Sequence, residues 1–173
     1  MEGDPVMKRL AAAALVAGLL ATAGAACAAD IARVYANPMA PIASLTRVPA
    51  GYDLVFVSGA TPGEQGQPKP VGTEAQTTDV LNKIKKLLAD QDMTMGDVVV
   101  MRVFLGVDPD KGGHADRAGM NNAFKTFFGT ADQPNKPART TIAINDNAPG
   151  NFVEIDAIAA KKPVAAKAAH KKK

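Results

Sequence analysis

Two residues near the end of this chain, Arg139 and Glu154, could do chemistry together. They bracket the segment KPARTTIAINDNAPGNFVEID, residues 136–156. An arginine offers a planar fork that takes a carboxylate bidentately. A glutamate can accept a proton from water. Pro137 suits the first residue of a strand. Thr140 to Ile144 is β-prone, residues 145–150 are turn formers, and Phe152 to Ile158 returns as a second strand. The simplest arrangement is an antiparallel hairpin that puts Arg139 and Glu154 on one face, opposite each other or on a diagonal of roughly 7–8 Å. The bland alternative is an ordinary cross-strand ion pair.

The elements that would position this pair come earlier. Residues Ile31–Tyr35 and Ile42–Val48 are short β-prone pieces, and Tyr52–Ser58 is a fuller strand. Ser58 and Gly59 close it and could offer a hydroxyl and backbone N–H groups to a ligand. As a nucleophile Ser58 is poorly served, since the two histidines, His114 and His170, fall in a loop and in the tail. The loop from Pro62 to Gly72 lacks the ending of a phosphate-cradling loop. Thr73 and Gln76 read as a capping box. Val80, Leu81, Ile84, Leu87 and Leu88 then form one apolar stripe, and Lys83, Lys85 and Lys86 face water.

Val98 to Leu105 is nearly continuous apolar sequence, as in a central strand. The aspartates at 108 and 110 lack the spacing of a calcium loop. A second helix is predicted over Ala115–Phe128, with Met120, Phe124, Phe127 and Phe128 inward, Gly129 as its stop, and Asn121 able to turn its amide toward the site. The order is strand, strand, helix, strand, helix, strand, strand. Both helices on one face of a mixed sheet leave the other face bare, and a bare apolar face asks for a partner.

The chain carries 20 basic and 17 acidic residues, net +3. Setting aside Glu2, Asp4, Lys8, Arg9 and the six lysines after Ala160 leaves 12 basic against 15 acidic residues. The domain is therefore mildly acidic and gives no footprint for nucleic acid. Residues 1–29 read as a signal peptide: Lys8 and Arg9 are basic, Leu10 to Ala26 is apolar, and Ala26-Cys27-Ala28 has the small-x-small form. The six residues before Met7 are an upstream extension. The apolar stretch is short for a membrane span, so no stable insertion is expected after cleavage. Cys27 is the only cysteine, which excludes an intramolecular disulfide and a thiolate metal site. The expected product is periplasmic or secreted; a lipoprotein through Cys27 and an unused signal in a cytoplasmic protein are the alternatives. Residues 30–160 form the domain, and the Lys/Ala tail, 161–173, is expected to be solvated and disordered.

Taken together these segments resemble the RidA/YjgF family of reactive-intermediate (enamine/imine) deaminases. Pro137 to Thr140 matches its PAR-T element and Val153 to Ile155 its V-E-I, fifteen residues apart from arginine to glutamate. The run ending at Ser58-Gly59, the helix from Ala75 to Leu88 and the stretch from Met120 to Phe128 match in order, so the resemblance covers Tyr35 to Ala160. It implies a chorismate-mutase-like β-β-α-β-α-β-β fold, a homotrimer with sites in the clefts between subunits, and hydrolysis of 2-aminoacrylate and 2-imino acids to 2-keto acids and ammonia. Arg139 would anchor the carboxylate and Glu154 would handle the water. Ser58, Gly59, Asn121 and Thr141 would contact the substrate, and no metal or organic cofactor is called for. Two positions depart from the family pattern. Pro41 to Leu45 replaces an element that carries a tyrosine, and Thr141 stands where a cysteine is frequent. A non-catalytic trimeric module binding small carboxylates is the competing reading. The ribonuclease activity sometimes ascribed to the family has little support without a histidine pair.

The export reading sets an expected outcome: mature protein from its host begins at or near Ala29. N-terminal sequencing checks this, and an intact N-terminus in the cytosol would refute it.

Overall fold

The computed structural model describes residues 29–145 and 147–163. Apart from Ala29, the expected signal peptide lies outside the described residues, as does the tail beyond Pro163. The described chain runs β1 (Ala32–Val34), β2 (Leu45–Arg47), β3 (Asp53–Ala60), α1 (Thr73–Ala89), β4 (Val98–Leu105), α2 (Arg117–Lys125), β5 (Ala138–Ala143) and β6 (Val153–Lys161). Strands β1 and β2 pair antiparallel as a small ribbon of their own.

The main sheet has the order β3-β6-β4-β5. β6 is antiparallel to both β3 and β4, whereas β5 runs parallel to β4. This corrects the predicted hairpin: β5 and β6 are not neighbours. The run from Val98 to Leu105 is the most continuously apolar strand and takes a central place, paired on both sides. β5 then returns through α2 as a parallel crossover, which requires a helix-length connection. β5 becomes an edge, its entry covered by Ala43, which donates its N–H to the Pro137 carbonyl at 2.8 Å.

Alternation along the strands sets two unlike faces. Val57, Met101, Val103, Leu105, Val153, Ile155, Ala157 and Ala159 join Val80, Leu81, Ile84 and Leu88 of α1 and Met120 and Phe124 of α2 in one buried core. Leu87, counted in the stripe from sequence, is instead half exposed. The opposite face carries Leu54, Phe56 and Ile142, and Phe56 is 71% exposed in the single chain. Both helices thus lie on one side, as the sequence implied. α2 is shorter than predicted: Phe127 and Phe128 fall in the turn after it, where Phe128 stacks on Phe124 at 4.6 Å.

Thr73 and Gln76 are not a capping box. Gly72 is the residue before α1 and makes no side-chain cap. Thr73 instead donates its hydroxyl to the buried Asp108 carboxylate at 2.9 Å. Gln76, 2% exposed, donates to the Pro70 and Gly150 carbonyls and accepts from the Phe152 N–H at 2.7 Å. One side chain therefore ties α1 to the loop before it and to the connection leading into β6. Gln76→Leu should strand three polar groups, at about 1–3 kcal/mol for each one left buried and unpaired. Urea denaturation is expected to show a clear loss of stability; an unchanged midpoint would refute this role.

Candidate functional site

Arg139 is the second residue of β5, in register with Met101, and so points to the helix side. Its guanidinium carbon sits 4.5 Å from the centre of the Phe124 ring, within cation–π range. Nη2 donates to Asn121 Oδ1 at 2.7 Å and Nη1 approaches Met120 Sδ at 3.4 Å. Asn121 thus turns its amide toward Arg139. Burial first, and then the positive charge of Arg117, push the Arg139 pKa down to about 10, which leaves it protonated at neutral pH. Thr141, two residues on, shares this side, and its hydroxyl is buried without a hydrogen-bond partner among the described residues.

Glu154 is in register with Phe104 on β4. Met101 and Phe104 differ in parity, so Glu154 points to the open face, opposite to Arg139. The expected one-face pair is corrected accordingly. No ion pair joins Arg139 to Glu154, and the bland cross-strand reading falls as well. The physical cause is the strand between them.

Of the two β3 residues predicted for the site, Gly59 meets Glu154. Both lie where the β3–β6 register shifts, between Val57 and Ala60. A Cβ on Gly59 would come within 2.0 Å of Glu154 Oε1, so the carboxylate rests on bare backbone. Ser58 is exposed and lines a groove that Leu87 of α1 also borders. The six predicted site residues are therefore divided: Arg139, Asn121 and Thr141 lie on one side of the sheet, Gly59 and Glu154 come together away from them, and Ser58 precedes Gly59 on β3 without a contact to either group. Phe124 and Met120, read from sequence as core alone, are also the floor under Arg139. Their four-residue spacing on a helix was the available signal. Among the described residues no group of His, Cys, Asp or Glu side chains is placed to hold a metal, and no helix is long and apolar enough to cross a membrane.

A four-stranded mixed sheet backed by two helices on one face defines an α+β protein of the chorismate-mutase-like, YjgF kind. Within that class the chain belongs to the RidA/YjgF family, whose model, described as Endoribonuclease L-PSP, matches residues 35–161. It is similar to a RutC family protein of Pyrococcus abyssi, 28% identical over 127 residues that cover 72% of this chain and 90% of the relative. It also resembles the crystal structure of a YjgF family member from Neisseria meningitidis, 25% identical with a TM-score of 0.51, over 78% of this chain and 98% of that one. A putative endoribonuclease from Thermotoga maritima is 26% identical with a TM-score of 0.52, over 76% and 99%.

A stacked, hydrogen-bonded guanidinium without an acid partner is suited to hold a small carboxylate. Arg139→Lys keeps the charge but loses the fork and the ring stacking. Calorimetry with pyruvate should show binding weakened by about tenfold or more, the scale of a charge-assisted contact worth roughly 1.5–3 kcal/mol. Equal affinity in the variant would remove Arg139 from the site.

Proposed function

We propose that this protein hydrolyses small 2-imino acids and their enamine tautomers to 2-keto acids and ammonia, in a site completed by a second copy of the chain. The observation that carries this reading is the separation of the two half-sites onto opposite sheet faces. Neither half can serve the other within one chain. The exposed apolar surface around Phe56, Leu54 and Ile142 favours burial against other copies, and in a closed ring of three each Glu154 face would meet a neighbour's Arg139 side.

In that cleft Arg139 and the Thr141 hydroxyl take the substrate carboxylate, and Asn121 holds the guanidinium flat. Glu154, set on Gly59, takes a proton from water as the new C–O bond forms at the imine carbon. The nitrogen gains a proton, the carbinolamine collapses, and ammonia leaves. One water is consumed and the keto acid remains. RNA cleavage is less well supported. His114, the only histidine among the described residues, has its backbone tied into the loop at Asp108 and Lys111, and the domain carries more acid than base. The basic n-region and small-x-small end favour an exported protein.

The test is ammonia release from an imino acid generated in place, corrected for spontaneous hydrolysis. Glu154→Gln should bind pyruvate yet lose about a hundredfold or more in rate, the usual scale for a general base. Gly59→Ala should approach the same loss by displacing that carboxylate. Light scattering of residues 30–160 should give a trimer, and a monodisperse monomer would sink the shared site. A wild type that binds keto acids but never accelerates ammonia release selects the binding module.

A further inference from the structure

A second arginine, exposed, lies one helical turn from the first half-site. Arg117 opens α2 one turn before Asn121, and residues four apart on a helix lie along one face. Asn121 is the side chain that Arg139 grips at 2.7 Å. The charge of Arg117 reaches Arg139, where it is the second cause, after burial, of that group's lowered pKa.

Neither guanidinium has a carboxylate partner among the described residues. The ion pairs there are Lys83–Asp79, Arg102–Asp156, Lys111–Asp116 and Lys162–Asp30. Asp116, next to Arg117 in sequence, is otherwise engaged: Oδ1 accepts the Gly119 N–H that caps α2, and Oδ2 stands 3.7 Å from Lys111. Glu74, the acid that reaches α2 from α1, accepts from Asn122. Arg139, with its aromatic floor and the unpaired Thr141 hydroxyl two residues on, thus has a second cation on the neighbouring turn of α2. Like charges held close repel each other, and a ligand with two negative charges relieves that repulsion. A monocarboxylate needs only one of the two forks.

We propose that the substrates are dicarboxylates: 2-imino acids whose side chain ends in a second carboxylate. Arg139 takes the carboxylate beside the imine carbon and Arg117 the distal one. This rests on the imine-hydrolysis reading for its chemistry, while its recognition rests on charge alone. The distal carboxylate is a spectator, so the reaction balances as before, one imine and one water giving one keto acid and one ammonia.

The experiment compares binding of 2-oxoglutarate and 2-oxobutyrate to the full domain by calorimetry, followed by turnover of the matching imino acids. Wild type should favour 2-oxoglutarate by about tenfold or more, as expected for one added charge-assisted contact. In Arg117→Gln the preference should collapse toward one, with the loss falling mainly on the dicarboxylate. Arg117→Lys should recover part of it, since charge returns without the fork. A wild type without the preference, or a preference untouched in Arg117→Gln, overturns the proposal. A preference that survives without any turnover supports the dicarboxylate site and rejects the hydrolase. Failure to bind either acid overturns both readings.

Discussion

The placement of β4 between β5 and β6 is the constraint on which the rest of the molecule depends. A strand as apolar as Val98–Leu105 gains most when hydrogen-bonded on both edges and covered on a face, and β6 and β5 supply the edges. Once β5 is parallel to β4 and β6 antiparallel to it, pairing register decides where every side chain goes. Arg139 follows Met101 inward and Glu154 follows Phe104 outward. A one-residue slip in either pairing would reverse that assignment and drive core residues into water, so the division between the two half-sites is as firmly held as the core.

That division explains which parts were legible in the sequence. The strands, both helices and the bare sheet face follow from periodicity, because burial acts on each element nearly by itself. The direction of Asn121 was accessible because it borders an apolar stripe whose direction is fixed, whereas its hydrogen bond with Arg139 was not. Strand order was not accessible in the same way. Local turn formers between two β-prone runs are compatible with a hairpin, and only competition among all strands for β4 decides against it. The Thr73 and Gln76 assignment failed for a related reason. Their spacing matches a local motif, yet buried partners distant in sequence, Asp108 for one and the approach to β6 for the other, claim both side chains.

Arg139 shows how a cation is kept ready in a partly buried place. Desolvation opposes its charge, and neither Phe124 nor Asn121 neutralises it. The ring face and the amide oxygen satisfy part of the guanidinium while leaving its net charge for a ligand. An acid in the same place would have produced a stable ion pair and a closed site. The unpaired Thr141 hydroxyl fits the same pattern, since a buried donor without a partner is costly.

The seat of Glu154 on Gly59 also bears on how such a protein can change over time. The two positions lie far apart in sequence but compete for one volume, so a side chain gained at 59 makes the acid swing aside. Any side chain at 59 needs the space that the longer acid fills, and that space opens only if residue 154 shortens or turns away. Single substitutions at 59 therefore lead through a state with a displaced carboxylate, whereas a shorter residue at 154 opens that space first. A glycine at an exposed break in strand register is here bound to the acid it supports.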